Sequence, residues 1–445
     1  MKIKFLSNLY LSDRFFLAFG GLVALFITSF FVPLLFALAK TVLLVFVALL
    51  VVDGILLFHP RVRLSIHRKL PESLSLGDDN SIYLDLVNLS GLQLRLLILD
   101  ELPPQLQRRD LRILVTVAGA EKRQLSYEIR PLERGEYTYG QVLAFAMTSL
   151  GLLRRRFRFN EAASVPVYPS FIQMKRYELM AFSRTSNIQG IKRIRRLGHS
   201  YEFEQIKNYV RGDDFRSINW KATSKRNELM VNQFEDEKAQ QIYSVIDKSR
   251  SMRMPFDGLS LLDHSINTSL VISNIALYKH DKAGLITFSD KLGSSIRAER
   301  KKGQLQKIVD ALYREQDRKL EANYELLYHS VRNVVKGRSL LFLYTNFESL
   351  YSLQRVLPIL RKINRQHLLV VVFFENSEIF DFSSKEADDL EGIYYQTIAQ
   401  KFVSEKKQVV QELRKFRIQS ILTRPENLSI NTINKYLELK SKGLI

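Results

Sequence analysis

The residues of this 445-residue chain best suited to chemistry are Asp247, Ser249 and Ser251, in the run Asp247-Lys248-Ser249-Arg250-Ser251-Met252. A carboxylate and two hydroxyls on one loop offer three hard oxygens, the donors Mg²⁺ takes in octahedral geometry while keeping several waters. The competing reading is structural: these side chains hydrogen-bond their own loop and cap a helix near Leu259. A second cluster joins Asp213 and Asp214 with Lys221. As acid/base or metal groups these would suit a metal-assisted hydrolase that also uses Asp247. Adjacent carboxylates rarely face one substrate, so the plainer expectation is a capped turn. There the carboxylates bind Arg211 or Arg216, and Trp220, the only tryptophan, packs in a core. The chain has no H-E-x-x-H, G-x-S-x-G or G-x-x-x-x-G-K-[ST] pattern.

The elements that must hold the first cluster follow from hydrophobic period. Gln241–Ile246 is a short apolar strand that delivers Asp247 at its end. Beyond it, helices are expected at Leu259–Tyr278, Gly303–Gln316, Tyr324–Val335, Leu350–Asn364, Ile393–Phe416 and Ser429–Lys440. Strands are expected at Ala283–Phe288, Ser339–Tyr344, His367–Phe374 and Ile418–Leu422. Such alternation predicts a doubly wound α/β domain whose parallel sheet is covered on both faces. Ligands of such sheets sit beyond the carboxyl ends of the strands, where the Asp247 loop falls.

Upstream, from about Val62 to Pro169, the period is two. Strand-like runs at Ser81–Val87, Leu92–Leu96, Leu111–Val117, Gln124–Ile129 and Tyr137–Phe145 are separated by turn residues. They predict a small immunoglobulin-like β-sandwich serving as spacer or binding module. Further upstream, Phe15–Phe58 carries only Lys40 and Asp53 as charges. It is too long for a signal-peptide core and is read as two membrane-spanning helices, about Phe15–Val32 and Leu34–Phe58. Their turn falls near Phe31-Val32-Pro33, or in a rival register at Lys40. Lys2, Lys4 and Arg14 precede this hairpin, and Arg61, Arg63, Arg68 and Lys69 follow it, which puts both ends and the bulk of the chain in the cytoplasm. The resulting plan is a hairpin over 1–60, a sandwich over 61–170, a basic connector over 171–238 and an α/β domain over 239–445.

Composition agrees with this plan. The net charge is +20, which invites nucleic acid, anionic lipid or an acidic partner. No RNP-like, helix-turn-helix or zinc-finger pattern accompanies the clusters Arg154–Arg158 and Lys192–Arg196, so the excess is assigned to an anionic bilayer or a docking surface rather than to nucleic acid. The absence of cysteine excludes disulfides, thiolate metal sites and cysteine nucleophiles, and leaves any metal to oxygen ligands.

Two stretches carry a family resemblance. The Asp247–Met252 run resembles the metal-ion-dependent adhesion site of von Willebrand factor A-type domains. Glu202-Phe203, Tyr209 through Arg216 (with Arg211, Gly212, Asp213 and Asp214) and Ile218-Asn219-Trp220-Lys221-Ala222 look like the signature of the domain-of-unknown-function 58 family. The resemblance implies a bacterial inner-membrane protein with a von Willebrand factor A-like domain and no established enzymatic activity. Its implied partner is a cytosolic MoxR-type AAA+ ATPase, served in maturation or assembly. It also implies two further site loops. Here they offer Asn323 in place of a threonine, and Asn346 after Thr345 in place of an aspartate. With Asp247 as the one carboxylate, any Mg²⁺ would be held weakly, because each missing carboxylate removes a strong attraction. The expected role is that of an interaction protein with a degenerate adhesion site.

Overall fold

In the computed structural model, residues 7–32, 34–108, 111–182, 202–210, 213–226, 228–235, 239–385 and 389–444 are described. The chain divides into two compact units, Met1–Tyr168 and Pro169–Ile445.

In the first unit, helices α1 (Asp13–Phe31) and α2 (Leu34–Phe58) pack antiparallel through Phe15 against Phe46 and Phe26 against Phe36. Both are long and apolar enough to cross a membrane, and they leave Leu17, Phe30, Leu44 and Ile55 exposed. Ser12 caps α1 by accepting the Phe15 amide at 3.2 Å. The chain leaves the helix at Val32, so the break falls at the first expected position; Pro33 lies outside the described residues. Lys40 sits within α2, 4.3 Å over the Phe36 ring, which rules out the turn at Lys40.

Strand β1 (Leu9–Leu11) precedes the helices. After them come β2 (Leu64–Lys69), β3 (Leu74–Ser75), β4 (Asn80–Asn88), β5 (Leu94–Asp100), β6 (Arg112–Val117) and β7 (Lys122–Ile129). They continue with β8 (Gly135–Tyr139), β9 (Val142–Met147), β10 (Leu153–Phe159) and β11 (Ala163–Tyr168). These form sheets ordered β1-β10-β9-β5-β6, β2-β4-β7 and β3-β11-β8, antiparallel throughout except β3 with β11. Alternation does the work: Ile82, Leu84 and Leu86 of β4 and Leu94, Leu96 and Ile98 of β5 are buried, while the residues between them face outward or lie part-buried. The run expected as one strand at Tyr137–Phe145 is two strands in different sheets. They part at Gly140, where a Cβ would collide with the Glu101 side chain, whose carboxylate accepts the Gln141 amide at 2.8 Å.

Two groups of arginines are not the free basic flank they resembled. Arg68 is buried: its guanidinium binds both Asp100 oxygens and donates to the carbonyls of Gly140 (3.1 Å) and Glu161 (2.9 Å). Tyr127 donates to the same Asp100 at 2.5 Å, so one polar hub ties strands of two sheets to the links at Gly140 and Glu161. In β10, Arg154 pairs with Asp13 at 2.6 Å. Arg155 donates to the Leu57 carbonyl at 3.0 Å, and Arg156 to that of Ser7 at 2.9 Å. Arg154 and Arg155 fasten the strand to the helix ends, Arg156 to the segment before β1, and Arg155 complements the negative C-terminal end of α2. The Lys192–Arg196 cluster lies outside the described residues.

The second unit begins with α3 (Phe171–Phe182). Next comes an antiparallel hairpin, β12 (Glu202–Asn208) with β13 (Met230–Glu235), carrying the short α4 (Trp220–Arg226). The stretch expected as a basic connector with the family signature thus holds α3, this hairpin and α4 among its described residues. Then follow β14 (Gln241–Asp247), α5 (Leu261–Tyr278), β15 (Lys282–Phe288), β16 (Leu292–Glu299), α6 (Gln304–Arg314), α7 (Tyr324–Val334) and β17 (Leu340–Tyr344). The unit ends with α8 (Leu350–Gln366), β18 (Leu368–Phe374), α9 (Ser377–Ser383), α10 (Leu390–Lys415), β19 (Gln419–Thr423) and α11 (Leu428–Ser441). The sheet order is β16-β15-β14-β17-β18-β19, parallel but for the antiparallel edge strand β16. That edge strand and α9 had no counterpart in the expected pattern. Successive strand residues feed opposite cores: Leu340, Phe342 and Tyr344 pack with α5, α6 and α11, while Leu341 and Leu343 pack with α7, α8 and α10. Burial on both faces is why these strands read as unbroken apolar runs.

Candidate functional site

The order of strands reverses at β14, whose neighbours β15 and β17 lie on opposite sides with β18 and β19 running outward from β17. Loops leaving β14 and β17 therefore part in opposite directions and open a crevice at their carboxyl ends. Asp247 closes β14 and Thr345-Asn346 follow β17, so Asp247 and Asn346 both reach that crevice. It is a cleft of about 80 Å³, lined among others by Asp247, Ser249, Ser251, Glu321, Tyr324 and Asn346.

Asp247 is 1% exposed. One carboxylate oxygen accepts the Ser249 amide at 2.8 Å; the other accepts the Thr345 hydroxyl at 2.8 Å, which in turn meets the Tyr324 hydroxyl at 2.8 Å. Burial pushes the carboxyl above its ordinary range, against the lowering effect of these bonds. Ser249 and Ser251 face one another at 3.1 Å between their hydroxyls. The two basic residues in the run point elsewhere: Lys248 pairs with buried Glu315, and Arg250 with Glu321 at 2.8 Å. Gly293 makes room for the first pair, since a Cβ there would strike the Lys248 ammonium and the Thr287 hydroxyl. At the lip, Glu321 also takes Arg355 at 2.7 Å, and Arg355 holds its carboxyl below the usual range, with help from Arg250.

The three oxygens of the run do bond within their loop, but they do not cap the following helix. Ser260 caps α5, in a reciprocal box with Asp263. Asn346 lines the cleft with its amide committed, donating to the Ser251 carbonyl at 3.3 Å and accepting Lys406 at 2.8 Å. Asn323 caps α7, accepting the amides of Glu325 and Leu326, and does not line the cleft. For a divalent cation the donors are hard oxygens: one buried carboxylate bonded to an amide and a hydroxyl, beside the hydroxyls of Ser249, Ser251 and Thr345. That set suits Mg²⁺ in kind and is poor in charge. Tyr324, Lys406 and Arg355 were not foreseen; each is unremarkable in its helix and becomes part of the site only through packing.

The second cluster does not join the first. Among the described residues no three histidine, aspartate or glutamate side chains gather as a metal site, so Asp213, Asp214 and Asp247 do not form one. Asp213 accepts the Val210 amide and the Lys207 ammonium, both at 3.0 Å, and these two contacts, the amide first, hold its carboxyl low. Asp214 caps the turn over Phe215–Ser217 through the Arg216 amide at 3.0 Å. Tyr209 pairs through its backbone with Leu229 at 2.7 Å, and Lys221 is exposed on α4. Arg211 and Gly212 lie outside the described residues.

The core position expected for Trp220 is wrong. Trp220 is 70% exposed and Phe215 69%, with Val210 exposed beside them in sequence and Arg216 over the Phe215 ring. A two-stranded hairpin with one short helix has no second layer in which to bury an indole.

The second unit is thus a parallel-sheet α/β domain with an oxygen-lined cleft where the strand order reverses, preceded by a hairpin that displays aromatic residues. Residues 205–379, which span most of that hairpin and the cleft, match the family described as "Protein of unknown function DUF58". A relative in Bacillus subtilis (strain 168), described as uncharacterized protein YeaD, is 28% identical over 127 residues. The match covers 28% of this chain and 31% of the relative, so it spans about a third of that protein's length. Among solved structures, the CARDB domain of the PF1109 protein of Pyrococcus furiosus, determined with di-metal ions, aligns over 24% of this chain and 90% of its own at 14% identity and a TM-score of 0.18. Proximal thread matrix protein 1 of the mussel byssus aligns over 44% and 45% at 12% identity and a TM-score of 0.26. Neither overlap carries an argument about fold or function.

Proposed function

We propose that the chain is a membrane-anchored adaptor whose α/β unit binds a cytosolic protein partner, a MoxR-type AAA+ ATPase. In this reading α1 and α2 span the inner membrane with both ends inside, because basic residues flank the pair on both sides. The strand-rich unit is an immunoglobulin-like spacer, and the α/β unit is of von Willebrand factor A type with a reduced adhesion site at Asp247. The observation that carries the reading is the exposure of Phe215 and Trp220 within the family-matched stretch. Large aromatic side chains left in water beside Arg216 and Lys221 are the composition of a protein-binding hot spot, and an acidic partner surface would match them. The cleft adds a second contact: a carboxylate from the partner would complete a Mg²⁺ shell that Asp247 and its neighbouring hydroxyls leave short of charge.

The test is capture of a MoxR-type ATPase by the full chain in nanodiscs, with and without Mg²⁺. Trp220→Ala should lower capture at least tenfold, and Asp247→Ala should remove the part that depends on Mg²⁺. Equal capture by wild type and both variants would overturn the reading.

A further inference from the structure

We propose that an apolar cavity beside the Asp247 cleft seats a large apolar side chain of the partner segment, with the Lys406 ammonium donating to an oxygen of that same segment. The proposal deepens the partner-binding reading and rests on it. The cavity, of about 230 Å³, opens between the loop after β14, the end of β18, and helices α9 and α10. Its walls are chiefly Met254, Phe256, Leu261, Phe374, Ile379 and Phe402. An apolar cavity of about 150 Å³ already accepts benzene, so a phenyl or leucine-sized group fits here. Met254 and Phe402 remain exposed, as side chains at an unfilled mouth would.

Lys406 is the feature an ordinary apolar pocket lacks. It reaches the cavity from α10, and its ammonium donates to Asn346 Oδ1 at 2.8 Å and to the Phe347 carbonyl at 2.6 Å. An ammonium has three N–H donors, and the third finds no acceptor among the described residues. Burial pushes this amine down to about 8, while Glu348 and Glu375 pull the other way. A carbonyl or carboxylate entering behind an apolar side chain would supply the missing acceptor.

The cavity also adjoins the cleft. Asn346 and Glu348 line both, and Asn346 bonds Lys406 on one side and the Ser251 carbonyl at 3.3 Å on the other. A segment that brings a carboxylate to the Asp247 loop therefore places a neighbouring side chain at the cavity mouth. The preferred occupant is a protein segment with an acidic residue close to an aromatic or long aliphatic one. A buried anchor of this kind supplies most of the affinity in many interfaces.

The experiment uses the full chain in nanodiscs and no ATPase, so failure of the pocket and failure of the partner reading are told apart. Benzaldehyde with cyanoborohydride marks accessible amines: amine and aldehyde lose water to an imine, which hydride reduces to a benzylamine. Lys406 should be marked at least tenfold faster than the median lysine near neutral pH, read by peptide mass spectrometry. N-acetylphenylalanine, which joins a phenyl group to a carboxylate, should protect Lys406, whereas N-acetylalanine should not. Val403→Trp, which fills the cavity, should abolish both marking and protection while leaving the other lysines and the melting temperature unchanged; Phe402→Ala, which keeps the cavity open, should retain marking and weaken protection. Marking of Lys406 at the rate of surface lysines, or equal protection by both acids, would overturn the proposal.

Discussion

Asp53, near the C-terminal end of α2, is wholly buried and accepts the hydroxyl of Thr148 from the loop between β9 and β10. The same carboxylate takes the amides of Leu152 at 2.9 Å and Leu153 at 2.8 Å. Ser12, the cap of α1, returns the contact by donating to the Gly151 carbonyl at 2.6 Å. The strand unit is therefore clamped to the helix pair about one turn inside its apolar span, and Asp53 is shielded from lipid by protein.

Removing that clamp should be costly. Hydrogen bonds to a charged group contribute about 1.5–3 kcal/mol each, and Asp53→Leu leaves two amides without their acceptor. The first unit should lose at least ~3 kcal/mol, seen as a lower melting temperature in detergent and faster protease cleavage after Phe58. Asp53→Asn, which keeps one acceptor oxygen, should fall between. A variant as stable as wild type would show that the clamp contributes nothing.

The Arg68–Asp100 hub makes a second prediction. Breaking a buried ion pair by removing one partner costs about 3–5 kcal/mol, because the other charge stays buried. Arg68→Met should destabilise by that amount. The double change Arg68→Met with Asp100→Leu should recover much of it, since no charge is then stranded. Chemical unfolding of both variants measures the difference; a double variant no better than the single would contradict the account.

At the cleft, Asp247→Asn separates structure from ligand. The amide keeps an acceptor for the Ser249 N–H, and the Thr345 hydroxyl can turn to accept its N–H. Because burial raises the Asp247 pKa, the folded state holds its proton more tightly than the unfolded state, and stability from this group falls as pH rises through the shifted pKa. Asp247→Asn should abolish that fall and be at least as stable as wild type near neutral pH. Millimolar Mg²⁺ should raise the melting temperature of wild type slightly and of the variant not at all. Equal response of the two proteins would remove Asp247 from any cation site.

Much of this architecture is legible in the chain. The strands β14, β15, β17 and β18 are largely apolar on both faces, and apolar residues recur at helical spacing between them, so their existence and order follow from pattern. The edge strand β16 does not: its residues Ser294, Ser295 and Arg297 lack apolar alternation, because only one neighbour strand and little core support it. The site is half legible. Asp247 announces itself by lying at the end of a strand, but Asn323 and Asn346 cannot be told apart by type. One caps a helix and the other reaches the site, and packing alone decides which. Trp220 misled for the opposite reason: its size argues for burial, and the described residues of the hairpin put no covering layer over it.

Lys406 itself gives a prediction in pH. It is held by neutral acceptors, Asn346 and the Phe347 carbonyl, with Glu348 and Glu375 as the carboxylates near it and the Phe373 ring 5.9 Å away. Burial in this setting lowers its pKa to about 8 from an ordinary 10.5. Between those values the unfolded chain binds a proton that the folded chain has released, so stability rises with pH across that window and the cost of charging Lys406 is full below it. At about 1.4 kcal/mol per pH unit, the rise is about 3 kcal/mol. Lys406→Met, which keeps the length of the stem without the charge, should flatten the profile between pH 8 and 10.5 and raise stability at pH 7 relative to wild type. Wild-type and variant profiles that run parallel would show that the ammonium is solvated rather than buried at the cavity wall.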